Sequence, residues 1–142
     1  MGHNGGVDDL LMNAPLFLAL DTEAAAALRA SLKQRSLLKG ETLFVEGEPG
    51  AEMFLLLEGK VKLGHTSKDG RESLLAVLGP GEMCGELSLF DPGPRTSTAI
   101  ALTDAIVLTL GQDQFKPWLA GRPELAAALL QALARRLRRT NE

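Results

Sequence analysis

The alternation of apolar and polar residues divides the chain into helical ends and a middle made of short strands. In the first 32 residues, apolar positions recur every three or four residues, which is the spacing of one face of a helix. This pattern predicts two short helices, over residues 7–20 and 22–32. Asp21 is a candidate N-terminal cap for the second helix because its carboxylate can accept a hydrogen bond from the first turn. We expect both helices to pack as covers on a sheet.

From residue 36 to residue 110 the pattern changes to short apolar runs separated by turn residues. Ser67, Asp69 and Gly70 form a strong turn signal, which predicts a hairpin joining 61–66 to 72–78. Many short strands at close spacing predict a small antiparallel sandwich or barrel. The predicted strands are 37–38, 43–45, 53–57, 61–63, 74–78, 97–102 and 106–110.

Two more helices are predicted at the C-terminal end. The first covers residues 111–119. Pro123 begins the second, and its missing N–H is no loss there because N–H groups in the first turn have no partner within the helix. Along this last helix, five positions recur in steps of four, three, four and three, which is a heptad seam and favours pairing with a second copy. The alternative is that this helix lies on the sheet and that these residues are its buried apolar stripe. The seam positions are Ala126, Leu130, Leu133, Leu137 and Thr140.

Composition describes one ordinary soluble domain. The 142 residues are 45% hydrophobic and 23% charged, which suffices to bury a core. The net charge of -3 does not favour nucleic-acid binding by bulk charge, although residues 121–142 hold five Arg against two Glu. The single cysteine, Cys84, excludes an internal disulfide and predicts a cytoplasmic location. No apolar run reaches the roughly 18 residues of a membrane span, and residues 1–6 are interpreted as a disordered start or a vector-derived remnant.

The segment 79–99 carries the candidate chemistry. Gly81 and Gly85 permit positive φ or a close approach of the backbone to a ligand. The short apolar turn after Gly85 offers unpaired N–H groups, which suit an anion. Arg95 is the only basic residue of the segment, and one guanidinium facing a row of N–H donors suits a single phosphate. Glu86 is tolerable beside a phosphate if it accepts a hydrogen bond from a neutral hydroxyl, such as that of a ribose.

Gly85-Glu86 and Arg95-Thr96, with apolar and turn residues between them, resemble the phosphate-binding cassette of cyclic-nucleotide-binding domains. The sequence is similar, over roughly residues 16–142, to bacterial transcription regulators of the cyclic-AMP receptor (catabolite activator) family. This resemblance implies that Glu86 holds the ribose 2′-hydroxyl and that Arg95 pairs with the cyclic phosphate. It further implies that a phosphate cage is completed by Gly85, Leu87, Ser88 and Thr96. The purine would be contacted by Thr140 and Asn141.

The resemblance also implies the architecture and the partners. The implied fold is mainly β, an antiparallel β-roll of the double-stranded β-helix or jelly-roll type, with short N-terminal helices and a long C-terminal dimerisation helix. The roll and its covering helices would take residues 7–120, and residues 121–142 would pair two copies into a homodimer. The implied ligand is cyclic AMP (cAMP), bound as an allosteric effector. A helix-turn-helix DNA-binding domain is expected to follow, and the chain is interpreted as a fragment without it.

Other functions fit these residues less well. A metal enzyme would need clustered His and carboxylate side chains, and His65 is the only histidine outside the N-terminal segment. There is no second carboxylate beside Glu86 and no evident nucleophile triad, so no enzyme activity, catalytic residue or metal site is predicted. A regulatory module of a kinase or channel would carry a similar cassette, but the Arg-rich C-terminal helix with Thr140 and Asn141 favours a regulator. Within that family, cyclic GMP or no nucleotide stays open as an alternative to cAMP.

Overall fold

A computed structural model describes residues 21–85, 88, 92–124, 126, 127, 130, 131, 134 and 138. The predicted helix over 7–20 lies outside these residues. The described part is mainly β, with antiparallel strands throughout. Its elements are α1 (Thr22–Ser31), β1 (Lys33–Leu37), β2 (Thr42–Phe44), β3 (Pro49–Gly50), β4 (Glu52–Glu58), β5 (Val61–Thr66), β6 (Glu72–Leu78), β7 (Met83–Cys84), β8 (Gly93–Pro94), β9 (Thr98–Ala101), β10 (Ala105–Gly111) and α2 (Gln112–Ala120).

Two four-stranded sheets form an antiparallel β-roll, as predicted. The strand order is β1-β10-β4-β7 in the first sheet and β2-β9-β5-β6 in the second. The predicted hairpin is confirmed: β5 and β6 pair from Val61 with Leu78 to Thr66 with Glu72. Strands β3 and β8 form a separate two-stranded pair. This small pair lies next to the candidate site, because β8 ends directly before Arg95.

Strand β4 is buried on both of its faces. Side chains alternate between the two faces of a strand, so Met53, Leu55 and Leu57 point one way, and Phe54 and Leu56 point the other. The first three belong to a core beneath the helices, and the other two belong to a core between the sheets. Each such side chain stabilises the fold by about 1.5–3 kcal/mol through burial. Burial on both faces explains why the apolar run of β4 is continuous.

Helices α1 and α2 cover the first sheet. The Oδ1 atom of Asp21 accepts a hydrogen bond from the backbone N–H of Ala24 at 2.7 Å, so the predicted cap is confirmed. Leu28 of α1 and Phe115 of α2 are both completely buried in the core that this sheet shares with the helices. The predicted helix over 111–119 corresponds to α2, displaced by one residue.

The sequence prediction misses β3, β7 and β8 and the first four residues of β1. Strand β1 lies at an edge of its sheet, and only Leu37 among its side chains is buried, so it lacks an apolar signature. Strands β3 and β8 lie among the residues that separate the predicted strands, and they pair Pro49 with Pro94 and Gly50 with Gly93. Such a pairing joins distant parts of the chain and leaves no local periodicity to detect.

The C-terminal helix is described only in part. The described residues from 123 to 138 are helical, and Leu130 among them is 60% exposed in the single chain. The seam residues Leu133, Leu137 and Thr140 lie outside the described residues. Among the described residues, no helix combines the length and the apolar character that crossing a membrane requires.

Candidate functional site

The candidate site is built around Arg95, whose backbone is held to the loop that follows β2. Its backbone N–H donates to the carbonyl of Glu48 at 2.7 Å, and its own carbonyl accepts from the N–H of Gly47 at 2.9 Å. Pro94, directly before it, ends β8 and pairs with Pro49 of β3. These bonds fix where the side chain of Arg95 starts, and that side chain is buried: the residue is only 7% exposed.

The guanidinium of Arg95 has neutral hydrogen-bond partners. Its Nη1 donates to the carbonyl oxygen of Glu52 at 2.8 Å and to the Oγ of Ser88 at 3.0 Å. Among the described residues, the contacts between basic and acidic side chains at ion-pair distance are His65–Glu46 and Arg71–Asp69, and neither involves Arg95. The described part of the chain therefore holds a buried positive charge beside a carbonyl and a hydroxyl, with no carboxylate at ion-pair distance.

Two glycines make room for this guanidinium. Gly85 has a φ of +75°, and a Cβ there would lie 2.8 Å from Nη1 of Arg95 and 3.0 Å from the carbonyl oxygen of Glu52. A Cβ on Gly50 would overlap the Nε and Cζ atoms of Arg95. The sequence predicts positive φ or a close approach at Gly81 and Gly85, and both glycines do have positive φ. Side chains at positions 50 and 85 would displace the arginine.

Two aromatic rings contact the same guanidinium. The Cζ of Arg95 lies 4.4 Å from the ring centroid of Phe44 and 5.6 Å from that of Phe54. The rings stack on each other, with centroids 5.8 Å apart and planes inclined by 24°. Phe44 comes from the second sheet and Phe54 from the first, so Arg95 meets the core where the two sheets face each other.

Burial lowers the pKa of the Arg95 guanidinium from its ordinary value, because removing water disfavours the charged form. Coulombic interactions with Cys84, Glu52 and Glu48, the largest first, oppose this lowering of the Arg95 pKa. An arginine has so high an ordinary pKa that it stays protonated in proteins. The site therefore presents a permanent positive charge at neutral pH.

The structure brings three of the predicted site residues together: Gly85, Ser88 and Arg95. Thr96 follows directly in a bend and is exposed. Four other predicted site residues lie outside the described residues, namely Glu86, Leu87, Thr140 and Asn141.

The sequence alone does not reveal that Gly50, Phe44 and Phe54 are parts of the site. Gly50 lies among turn residues between two predicted strands. Phe44 and Phe54 lie in apolar runs and have the pattern of ordinary core residues. No local signal connects any of them to an arginine more than 40 residues further along the chain.

A separate groove of about 210 Å³ lies at the second sheet. None of its lining residues is a predicted ligand-binding residue. His65 lines the groove, and its Nδ1 lies 3.2 Å from a carboxylate oxygen of Glu46. Among the described residues there is no group of three or more His, Cys, Asp or Glu side chains that could hold a metal ion. The groove residues are Lys62, Gly64, His65, Thr66, Glu72, Ser73, Leu74, Thr98 and Ile100.

Comparison with known proteins gives consistent results. Residues 34–121 match the family described as cyclic nucleotide-binding domain. A CRP-like cAMP-activated global transcriptional regulator of Mycobacterium tuberculosis is 46% identical over 135 residues, which cover 95% of this chain and 60% of that protein.

Solved structures share the fold. The N-terminal domain of a transcriptional regulator from Streptomyces coelicolor A3(2) is 58% identical, with a TM-score of 0.76 and coverage of 93% of this chain and 92% of that one. The catabolite activator protein of Thermus thermophilus is 36% identical, with a TM-score of 0.81 and coverage of 90% and 60%. The chain thus spans about three fifths of the length of the M. tuberculosis and T. thermophilus proteins. By sequence and by fold, it belongs to the cyclic nucleotide-binding domain family, of the kind found in cyclic-AMP receptor transcription regulators.

Proposed function

We propose that this chain is the effector-binding and dimerisation domain of a bacterial transcription regulator and that it binds cAMP without chemically changing it. The relatives are regulators rather than enzymes, which supports binding without catalysis. The names of the M. tuberculosis and T. thermophilus relatives include cAMP or cyclic AMP. Residues 7–120 would form the binding unit, and residues 121–142 would belong to the dimerisation helix.

The observation that carries this proposal is the buried charge of Arg95. Removing a cation from water is costly unless an opposite charge compensates it. The described partners of Arg95 are the neutral Glu52 carbonyl and the Ser88 hydroxyl. An anion that enters beside the guanidinium would supply the missing compensation. A cyclic phosphate, with one negative charge, matches the single positive charge.

The remaining contacts are assigned to the other predicted site residues. Glu86 would accept a hydrogen bond from the ribose 2′-hydroxyl, and Thr96 would complete the phosphate cage with the Gly85, Leu87 and Ser88 segment. A charge-assisted hydrogen bond contributes about 1.5–3 kcal/mol, whereas micromolar binding needs about 8 kcal/mol. Arg95 and Glu86 are therefore insufficient by themselves. The balance is assigned to backbone donors and to contacts of the purine.

Thr140 and Asn141 are the residues that we assign to the purine. Because they follow the heptad seam, ligand and dimer interface would share atoms. A ligand that binds better to one arrangement of the paired helices shifts the dimer toward that arrangement. In the whole protein this shift would reach a DNA-binding domain, and the natural location of such a regulator is the cytoplasm.

Isothermal titration calorimetry tests the proposal. We expect the native chain to bind cAMP, and we expect Arg95→Ala to weaken binding at least tenfold, which corresponds to about 1.4 kcal/mol. Arg71→Ala is the matched control, because the Arg71 side chain is 86% exposed and lies outside the site. Equal affinity of the native chain and Arg95→Ala would refute the anion site. Thermal unfolding of each variant shows whether the fold is kept.

The same titration with cyclic GMP decides between the nucleotides. Tighter binding of cyclic GMP than of cAMP would overturn the ligand assignment while leaving the phosphate site intact. Failure of the native chain to bind either nucleotide would contradict the proposed function itself.

A further inference from the structure

The contact between Arg95 and two stacked rings suggests a role that packing alone does not explain. Phe44 and Phe54 are 7% and 4% exposed, so the guanidinium meets π faces from which water is excluded. A cation beside an aromatic face is attracted by the quadrupole of the ring, and the attraction is strongest where both groups are desolvated. The rings can therefore offset part of the cost of burying this charge.

A ring stabilises the charge in a way that a carboxylate could not. A carboxylate would form an ion pair with Arg95 and compete with an incoming phosphate for the same N–H donors. A ring face does not neutralise the positive charge of Arg95 and accepts no strong hydrogen bond. The N–H donors in the plane of the guanidinium therefore stay available. The aromatic contact suits an arginine that must be buried and charged before its ligand arrives.

The hydrogen bonds of Arg95 leave such donors. Nη1 uses its two N–H groups on the carbonyl of Glu52 and the hydroxyl of Ser88. Nε and Nη2 form no hydrogen bond to any described residue. A guanidinium presents Nε–H and one Nη2–H side by side, which is the geometry that binds two oxygens of a phosphate. Among the described residues, one edge of the Arg95 side chain is thus anchored, and the donors of the other edge are unused.

We propose that Phe44, supported by Phe54, is a positioning residue for nucleotide binding: it stabilises the charged Arg95 guanidinium by a cation–π contact while its Nε and Nη2 donors stay available for the cyclic phosphate. This inference rests on the proposed function, since it takes Arg95 to be the phosphate ligand. Phe44 itself does not touch the nucleotide in this proposal. It acts on affinity through the electrons of its ring.

Fluorinated phenylalanines separate this role from packing. Each added fluorine withdraws electron density from the ring face with little change of shape, so it weakens a cation–π contact in steps. The test incorporates mono-, di- and trifluorophenylalanine at position 44 of the full chain and measures cAMP binding by calorimetry. The dissociation constant should rise with each fluorine, to about ten times the native value for trifluorophenylalanine. The same series at Phe54, whose ring is more distant, should show a shallower rise.

Phe115 provides the matched control. It is completely buried in the other core, beneath the helices, and the same series there should leave the affinity unchanged. If the trifluorophenylalanine chain fails to fold, two ordinary variants test the contact instead. Phe44→Trp should keep near-native affinity for cAMP, and Phe44→Leu should lose it.

A flat fluorination series at position 44, or an equal slope at position 115, would overturn this inference. If Arg95→Ala still weakens cAMP binding at least tenfold, the proposed function survives that result. Unchanged binding by Arg95→Ala would overturn the proposed function instead.

Discussion

At the scale of single residues, the candidate site depends on how closely the backbone approaches Arg95. The guanidinium occupies space that Cβ atoms on Gly50 and Gly85 would need. Gly85 additionally requires a positive φ, which other residues adopt only with strain. Gly50 has no such requirement, so a substitution there changes the space around Arg95 without imposing left-handed backbone. This difference makes Gly50 the better position for a test.

Gly50→Ala should weaken cAMP binding at least tenfold. The new methyl group would overlap Nε and Cζ of Arg95 and force the guanidinium away from its place, while the flexible side chain lets the fold adjust. Gly93→Ala is the control, because Gly93 pairs with Gly50 between β3 and β8 and a Cβ there meets nothing within 4 Å. Calorimetry gives the affinities, and thermal unfolding gives the stabilities. Native affinity in Gly50→Ala would show that the position of the guanidinium is not needed for binding.

At the scale of elements, the β5–β6 hairpin shows a turn whose structure follows from its own residues. The hydroxyl of Ser67 donates to the carboxylate of Asp69, and the backbone N–H of Arg71 donates to the same Oδ1 at 3.4 Å. These bonds favour the charged form and lower the pKa of Asp69 from its ordinary 3.8, the Ser67 bond having the larger effect. The Arg71–Asp69 ion pair is exposed and contributes little.

Ser67→Ala should raise the pKa of Asp69 toward its ordinary value. Because the pKa is lowered in the folded state, the stabilisation is present above about pH 3.8 and is lost as the pH falls through the folded-state pKa. The difference in melting temperature between the native chain and Ser67→Ala should therefore shrink below about pH 4. Carboxyl-carbon NMR titration measures the pKa directly. Ser73→Ala, in the same hairpin, is the control, and an unchanged Asp69 pKa in Ser67→Ala would contradict the assignment.

At the scale of the whole molecule, we expect the C-terminal helix to join two copies of the domain. Leu130 is a large apolar residue on this helix and is 60% exposed in the single chain. Burial in a helix pair would remove that apolar surface from water. The heptad pattern and the exposure of Leu130 together support a homodimer through this helix.

Leu130→Glu should convert the dimer to monomers, since a carboxylate placed in the seam of each helix would be desolvated and repelled by its counterpart. Sedimentation equilibrium of the full chain measures the mass. Gln131→Glu adds the same charge at the next position, which is exposed and outside the seam, and it should leave the mass unchanged. A dimer that persists in Leu130→Glu would reject the seam as the interface.

The sequence by itself determined the features that neighbouring residues encode. The β5–β6 hairpin follows from the chemistry of its turn, the start of α1 follows from the cap at Asp21, and the long strands follow from apolar runs such as that of β4. The spacing of Gly85-Glu86 and Arg95-Thr96 indicated the family, which the comparisons show. Each of these features depends on residues within one short segment.

Only the tertiary structure decided what surrounds Arg95. Glu52, which accepts one of its hydrogen bonds, is 43 residues away in the chain, and the Phe44 and Phe54 rings come from different sheets. Their meeting depends on strand register and on how the sheets pack, and local propensities specify neither. The short β3–β8 pair has the same origin, because its strands are too short to show a period. The sequence could therefore indicate the charge of the site, whereas packing between distant segments determined how that charge is held.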